Sequence, residues 1–532
     1  MPERKPIFYD EQRRRWRRTR RVMEITGGFF TLVLIVFLIN VIRSPELPDI
    51  LRADTHAGLH AIRAHQKTKP VRQGRKRKVA ALGKIPANYD PLRAAFYVGD
   101  DYTSLASLQL HYHDLDLLIP EALHAVSRDG KLDVDQDPKL ASFLQSLQKR
   151  TPPVELPVMS MVNNYDGEKG WCPPEMIQML ASPPARQNLA NQLEKFADAE
   201  HQPGIVVDFE SLPQSSQEDF QRFIHDLGRA LHGKNLKLMV ALPAADWSYD
   251  YKFFASQADA IILMNYDFHW PNSAPGPIAP QDWFVRDIEN IVKLVPPEKI
   301  VMGIANYGYD WPAKTKSTPH PLAQAVTFQQ AVITAVESET DIEFDPESLN
   351  PHYSYEDQNN LVHNVWMLDG VTAYNELRAA ERAGVQGTAL WRLGMEDPSI
   401  WYIWDATHPD DAMRKKLEDV PPGYDLVLEG DGDIWRITAK PQSGHRTFEY
   451  DPDTNLFTDE TFQSYPLSWR IEQMGAASKK VALTFDDGPE PKWTPKILEV
   501  LKKEQVPAAF FVIGEEANQN PNLIKREYEY GN

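Results

Sequence analysis

The chain has 532 residues, 42% of them hydrophobic and 25% charged, which is the composition of a folded protein with room for two or three domains and excludes a disordered scaffold. Its single cysteine excludes an internal disulfide framework, so stability must come from core packing. The net charge of −18 conceals a polarity: residues 1–78 are strongly basic, whereas residues 79–532 carry roughly 38 basic against 68 acidic side chains, which argues against nucleic acid as a partner.

In chain order, residues 1–22 form a basic tail in which Arg13, Arg14, Arg15, Arg17, Arg18, Arg20 and Arg21 precede an uncharged run from Ile25 to Ile42. Those 18 residues, as a helix rising about 1.5 Å per residue, are just long enough to cross about 30 Å of hydrocarbon. A single-pass anchor over 23–43 is expected in a bacterial plasma membrane. The flanking arginines would hold the amino terminus in the cytoplasm and place the rest in the periplasm or outside the cell. A cleaved signal peptide is the alternative, with Thr19-Arg-Arg21 as a faint twin-arginine feature. No small-x-small site follows closely, and the run exceeds the usual signal core. Residues 44–90 are polar and aperiodic and read as a tether. Their cluster Arg75-Lys-Arg-Lys78 either touches anionic lipid or wall polymer or is simply solvated.

Over 91–422, apolar strand-like runs alternate with segments of helical spacing, the signature of parallel βαβ units. Eight strands are expected: 94–98, 115–119, 156–162, 204–209, 237–242, 260–265, 300–305 and 387–393. Eight in this span predict an α/β fold, a (β/α)8 TIM barrel, with a large insertion within Tyr307 to Asn364 and chemistry at the carboxyl ends of strands.

The fourth strand ends Ile205-Val-Val-Asp-Phe-Glu210. Asp208 and Glu210, two apart on an extended chain, point to one face. Two neighbouring carboxylates resist simultaneous ionisation, so one is poised to act as a general acid. An Asp-x-Glu pair also ends many ordinary strands. Here the sixth strand finishes Met264-Asn265-Tyr266-Asp267, followed by Phe268, His269 and Trp270, and the eighth finishes Ala389-Leu-Trp391. Acidic and aromatic groups at several strand ends suit a sugar cleft, because aromatic faces pack against pyranose rings. His269 either binds substrate or satisfies a loop carbonyl. Cys172 has no companion histidine motif for a nucleophilic role. Trp366, Met367 and Asp369 read as cleft wall or core.

At these residues the segment resembles glycoside hydrolase family 18, the chitinase-like barrels. The family signature Asp-Gly-x-Asp-x-Asp-x-Glu reads here Pro203-Gly-Ile-Val-Val-Asp-Phe-Glu210, with Pro203 and Val206 at the two earlier Asp positions, as in the spore-cortex type of the family. The resemblance implies substrate-assisted hydrolysis of N-acetylglucosamine glycans without a cofactor. Glu210 would protonate the glycosidic oxygen, Asp208 and Tyr266 would hold the acetamide, and Asp267 would support the network. Trp391 would floor the reactive subsite, with Trp270 and Asn265 as further substrate contacts. The altered signature keeps open a non-catalytic, chitinase-like glycan-binding scaffold.

Residues 423–475 contain short alternating runs around Gly-Asp turns and are expected to form a small β linker without chemistry. Residues 476–532 contain Val481-Ala-Leu-Thr-Phe-Asp-Asp-Gly-Pro489, an apolar strand ending on two carboxylates. Two hard oxygen donors suit a metal-assisted hydrolase; an Asp-Gly-Pro turn closing an ordinary strand is the plainer reading. The string resembles the first motif of NodB-type polysaccharide deacetylases, carbohydrate esterase family 4, which implies Asp486 as base and Asp487 as ligand to a divalent metal, zinc. That family completes its site with a later His-x-x-x-His pair, and the last histidine here is His445. These 57 residues are therefore expected to be the opening of a deacetylase barrel and, by themselves, not to deacetylate. Fusions of this kind also imply a following membrane family 2 glycosyltransferase. Expected partners are thus an N-acetylated polysaccharide or peptidoglycan and the membrane.

Overall fold

The computed structural model describes residues 89–530 apart from Glu168, Lys316, Ser317, His320, His408, Asp433 and 476–480. The apolar run from Ile25 to Ile42 lies outside the described residues, and no helix among them is long and apolar enough to cross a membrane.

Eight parallel strands close into a barrel: β1 (Leu92–Val98), β2 (Leu117–His124), β3 (Met161–Asn163), β4 (Gly204–Asp208), β5 (Lys237–Pro243), β6 (Ala260–Met264), β7 (Ile300–Ala305) and β8 (Gly387–Trp391). Each pairs with the next in parallel, and β1 pairs with both β2 and β8, so no edge is left unpaired around the ring. Two expected strands shift. β2 starts two residues late because Asp116 instead accepts hydrogen bonds from the Arg93 backbone and guanidinium, and it runs on past Pro120 to His124. β3 is shorter than the apolar run suggests, since around Val158 the chain makes only an isolated bridge to β2 before the ladder resumes at Met161.

Side-chain alternation divides the apolar residues into two layers. Ala94, Phe96, Leu117, Ile119, Met161, Val206, Ile262, Val301 and Ala389 fill the barrel interior. The intervening residues, such as Ile205, Val207 and Phe209 on and just after β4, pack outward against helices. The surrounding helices include α1 (Tyr102–His111), α2 (Pro138–Gln148), α3 (Pro183–Ala199), α4 (Gln217–His232), α5 (Tyr251–Gln257), α6 (Gln281–Ile291) and α7 (Gly370–Ala383). Between β7 and α7 the expected insertion is a five-stranded antiparallel sheet, built from strands between Gly308 and Met367, with a helix at Phe328–Glu337.

α7 is covered on both sides. Its outer face lies under the hairpin of β9 (Gly444–Asp451) and β10 (Leu456–Ser464), where Asn375 exchanges two 2.9 Å hydrogen bonds with the Phe457 backbone. From β9, the fully buried Arg446 donates to Asp397 (2.9 Å), Glu460 (3.2 Å) and Asp369 (3.3 Å), and Asp369 in turn caps the first turn of α7. The carboxyl-terminal unit is a βαβ segment: β11 (Thr484–Gly488), α8 (Thr494–Glu504) and β12 (Ala509–Val512), the strands pairing in parallel.

Candidate active site

β4 delivers the carboxylate pair. Phe209 stacks outward on Phe223 at 5.4 Å and tilts against Phe220 at 5.6 Å, which fixes the strand end from behind and leaves Asp208 and Glu210 facing the barrel mouth. Asn164, fully buried just beyond β3, clamps the Glu210 backbone in both directions: its Nδ2 donates to the Glu210 carbonyl (2.8 Å) and its Oδ1 accepts from the Glu210 amide (2.9 Å). Immediately after, Ser211 takes a positive φ of 54° and turns the chain away.

β6 brings Tyr266 and Asp267 to the same mouth. The Tyr266 ring occupies space that Gly303 on β7 leaves open: a Cβ there would stand 2.9 Å from Tyr266 Cε1 and 2.7 Å from the Leu263 carbonyl oxygen. Asp267, at φ 58°, accepts hydrogen bonds from the phenols of Tyr307 and Tyr309, the latter at 3.0 and 3.2 Å. Trp391 ends β8, packs edge-on against Phe96 at 5.1 Å and lids the apolar barrel interior.

These groups perturb one another. Burial pushes the Asp208 carboxyl well above the usual range, and the neighbouring Glu210 and Glu121 push it further; among the described residues nothing hydrogen-bonds its Oδ1. Burial, with Asp267 and Glu121 behind it, raises Glu210 to about 7. The pair therefore holds a proton to higher pH than two isolated carboxylates would. Burial also raises Asp267, but the two tyrosine hydrogen bonds oppose the shift. Tyr266 is driven up by burial first and by the three surrounding carboxylates next, so its hydroxyl keeps its proton and remains a donor.

The structure thus brings together Asp208, Glu210, Tyr266, Asp267 and Trp391. It does not bring in Asn265, whose fully buried amide donates to the Phe284 carbonyl of α6 (3.2 Å) behind the strand. Trp270 stands half-exposed on the loop after β6, outside the buried group, and beside it His269 places Nδ1 2.9 Å from the Pro277 carbonyl. Cys172 is partly buried, which raises its thiol and makes it a poorer nucleophile. Asn164, Tyr307, Tyr309 and Glu121 escaped the sequence reading. Tyr307-Gly-Tyr309 directly after β7, and an acid inside the apolar run Leu117-Leu-Ile-Pro-Glu121, were the available signals.

Asp486 and Asp487 lie at the exposed end of β11. Among the described residues no group of three or more His, Cys, Asp or Glu side chains is arranged to hold a metal. Two carboxylates alone do not make a catalytic metal centre.

A family model for glycosyl hydrolases family 18 matches residues 123–396, just over half of the chain, and one for polysaccharide deacetylase matches residues 474–532. The cortical fragment-lytic enzyme of Bacillus subtilis is 29% identical over 240 residues, 42% of this chain and 54% of that protein. A further relative from the same organism, 28% identical over 255 residues, is spanned over 60% of its length, so the chain spans little more than half of such relatives. The peptidoglycan-N-acetylglucosamine deacetylase PgdA of Listeria monocytogenes is 47% identical over 68 residues, 12% of this chain and 15% of the relative. Among solved structures, a chitinase from Chromobacterium violaceum superposes with a TM-score of 0.53 at 27% identity, covering 62% of this chain and 99% of the chitinase. The Bacillus cereus spore cortex-lytic enzyme SleL shares the fold at a TM-score of 0.52 and 22% identity, covering 60% of this chain and 74% of SleL.

Proposed function

The chain belongs to glycosyl hydrolase family 18, and from that premise we propose that its barrel cleaves N-acetylglucosamine-containing cell-wall glycans by a substrate-assisted route. The observation that carries this reading is the convergence of Glu210, raised to about 7, with buried Asp208 and partly buried Tyr266 at the carboxyl ends of β4 and β6. Glu210 donates its proton to the glycosidic oxygen as that bond to the anomeric carbon breaks. The substrate's acetamido oxygen forms the new bond to the same carbon. Asp208 takes the developing positive charge of the acetamide nitrogen, and Tyr266 donates to the acetamide oxygen. Water, deprotonated by the now ionised Glu210, then opens the cyclic intermediate. Trp391 presents its face to the sugar at the cleaved bond.

Incubating the full chain and Glu210→Gln with N-acetylglucosamine oligomers and with peptidoglycan, and following products by mass spectrometry, tests the reading. Cleavage by the parent alone supports it. Equal binding by both with no cleavage by either identifies a glycan-holding module instead.

For residues 474–532 the reading extends only to class, a polysaccharide deacetylase segment addressed to the same kind of glycan, supported by the PgdA similarity. The apolar run from Ile25 to Ile42 supports a membrane-anchored placement with the barrel on the outer side, which fractionation of the expressing cell would check.

A further inference from the structure

Glu121 is a buried-site acid with no part in the family signature. It sits on the inward-facing register of β2, two residues beyond Ile119 of the barrel interior. The ladders pair Glu121 with Met161 and Met161 with Val206, so Glu121 shares a register layer with the position where the family signature carries an aspartate and this chain carries Val206. Its orientation is fixed. Asn163, fully buried and the register partner of Asp208, donates through Nδ2 to Glu121 Oε1 at 2.5 Å. His124 Nδ1 lies 2.7 Å from Asn163 Oδ1, and His124 Nε2 lies 3.1 Å from Asp135. A donated His124 Nδ1 hydrogen sets the Asn163 amide with its NH2 toward Glu121.

We propose that Glu121 is a positioning acid that replaces, from β2, the aspartate absent at Val206, and that it sets the protonation of the Asp208–Glu210 pair. The inference rests on the hydrolase reading of that pair. Glu121 acts through space on both partners, raising each; its own carboxyl is raised by burial, a rise that His124, Arg392 and the Asn163 hydrogen bond oppose and Asp135 adds to. The other titratable groups facing Glu210 and Asp208 are Asp267, Tyr249, Tyr266 and Tyr309. A nearby negative charge disfavours ionisation of the pair and keeps a proton on Glu210, as a general acid requires.

The test compares the full chain with Glu121→Gln and with Glu121→Gln/Val206→Asp, which restores an acid at the signature position. Two readouts are taken: the pH profile of kcat/KM on an N-acetylglucosamine oligomer, and the titration of Glu210 by carboxyl carbon-13 NMR, assigned with Glu210→Gln. The pH at which activity is lost on the alkaline side, and the Glu210 midpoint, should both fall by about one pH unit in Glu121→Gln and return in the double variant. Unmoved values in folded Glu121→Gln overturn the inference, because a structural role would lower activity without moving either midpoint. If Glu121→Gln does not fold, the double variant alone decides: a parental midpoint supports the inference and a lowered one overturns it. A midpoint that moves while no glycan is ever cleaved overturns the hydrolase reading and leaves the assignment of Glu121 standing.

Discussion

Tyr307, two residues past the end of β7, donates its phenolic hydrogen to Asp267, three residues past the end of β6, and so ties these two adjacent strand ends together at the barrel mouth. Tyr309 reaches the same carboxylate from the first strand of the inserted sheet. These bonds oppose the rise that burial imposes on the Asp267 carboxyl.

The Tyr307→Phe/Tyr309→Phe variant should therefore raise the Asp267 carboxyl further and weaken its push on Glu210. Loss of about 1 to 2 kcal/mol of support corresponds to roughly a five- to thirtyfold fall in kcat/KM. The alkaline limb of the pH profile should move to lower pH together with that fall.

Glu210→Gln should lower kcat by about 10² to 10⁴, the usual contribution of a positioned general acid. In the parent, activity should decline as pH rises through about 7, where Glu210 loses its proton. Initial rates between pH 4 and 9 check both points.

The same substitution should change how stability depends on pH. Glu210 is raised from an ordinary value of 4.5 to about 7, so the folded state holds a proton that the unfolded chain has already released. That contribution is complete below pH 4.5 and is lost as pH rises through 7. Glu210→Gln carries no such dependence, and at pH 8 it should be more stable than the parent by about 2 kcal/mol, with the gap closing towards pH 5. Denaturant midpoints at the two pH values measure it.

Arg446→Leu should cost about 3 to 5 kcal/mol, because Asp369 and Asp397 would remain buried without their cation. Thermal unfolding of the full chain should show the loss in the barrel transition.

Gly303→Ala should displace the Tyr266 ring, since the added carbon meets both that ring and the rigid β6 backbone. Activity is expected to fall more than stability, about tenfold against about 1 kcal/mol, and paired kinetics and melting curves separate the two.

All eight barrel strands were legible because a strand buried on both faces needs an unbroken apolar run, and runs such as Ile300–Ala305 on β7 carry that requirement in the chain itself. The Asp208–Glu210 spacing was readable for the same local reason. Asn265 misled because it adjoins Tyr266, and neighbouring residues on an extended chain face opposite ways. Glu121, Asn164 and Tyr309 were hidden because their importance comes from partners 42 to 46 residues distant, which only the closed ring brings together. Arg446 was hidden more deeply, since nothing in an alternating strand announces that its guanidinium will be enclosed.

The hairpin of β9 and β10 bears on how such a barrel is inherited. The family-model match ends at residue 396, yet Arg446 and Phe457 complete the cover of α7 from beyond that limit. A recombination event that carried over the chemical residues alone would deliver a barrel with exposed acids and an uncovered helix. The smallest heritable cassette therefore runs past that match, and a hybrid joined near residue 422 should be lost to proteolysis while one joined after Ser464 survives.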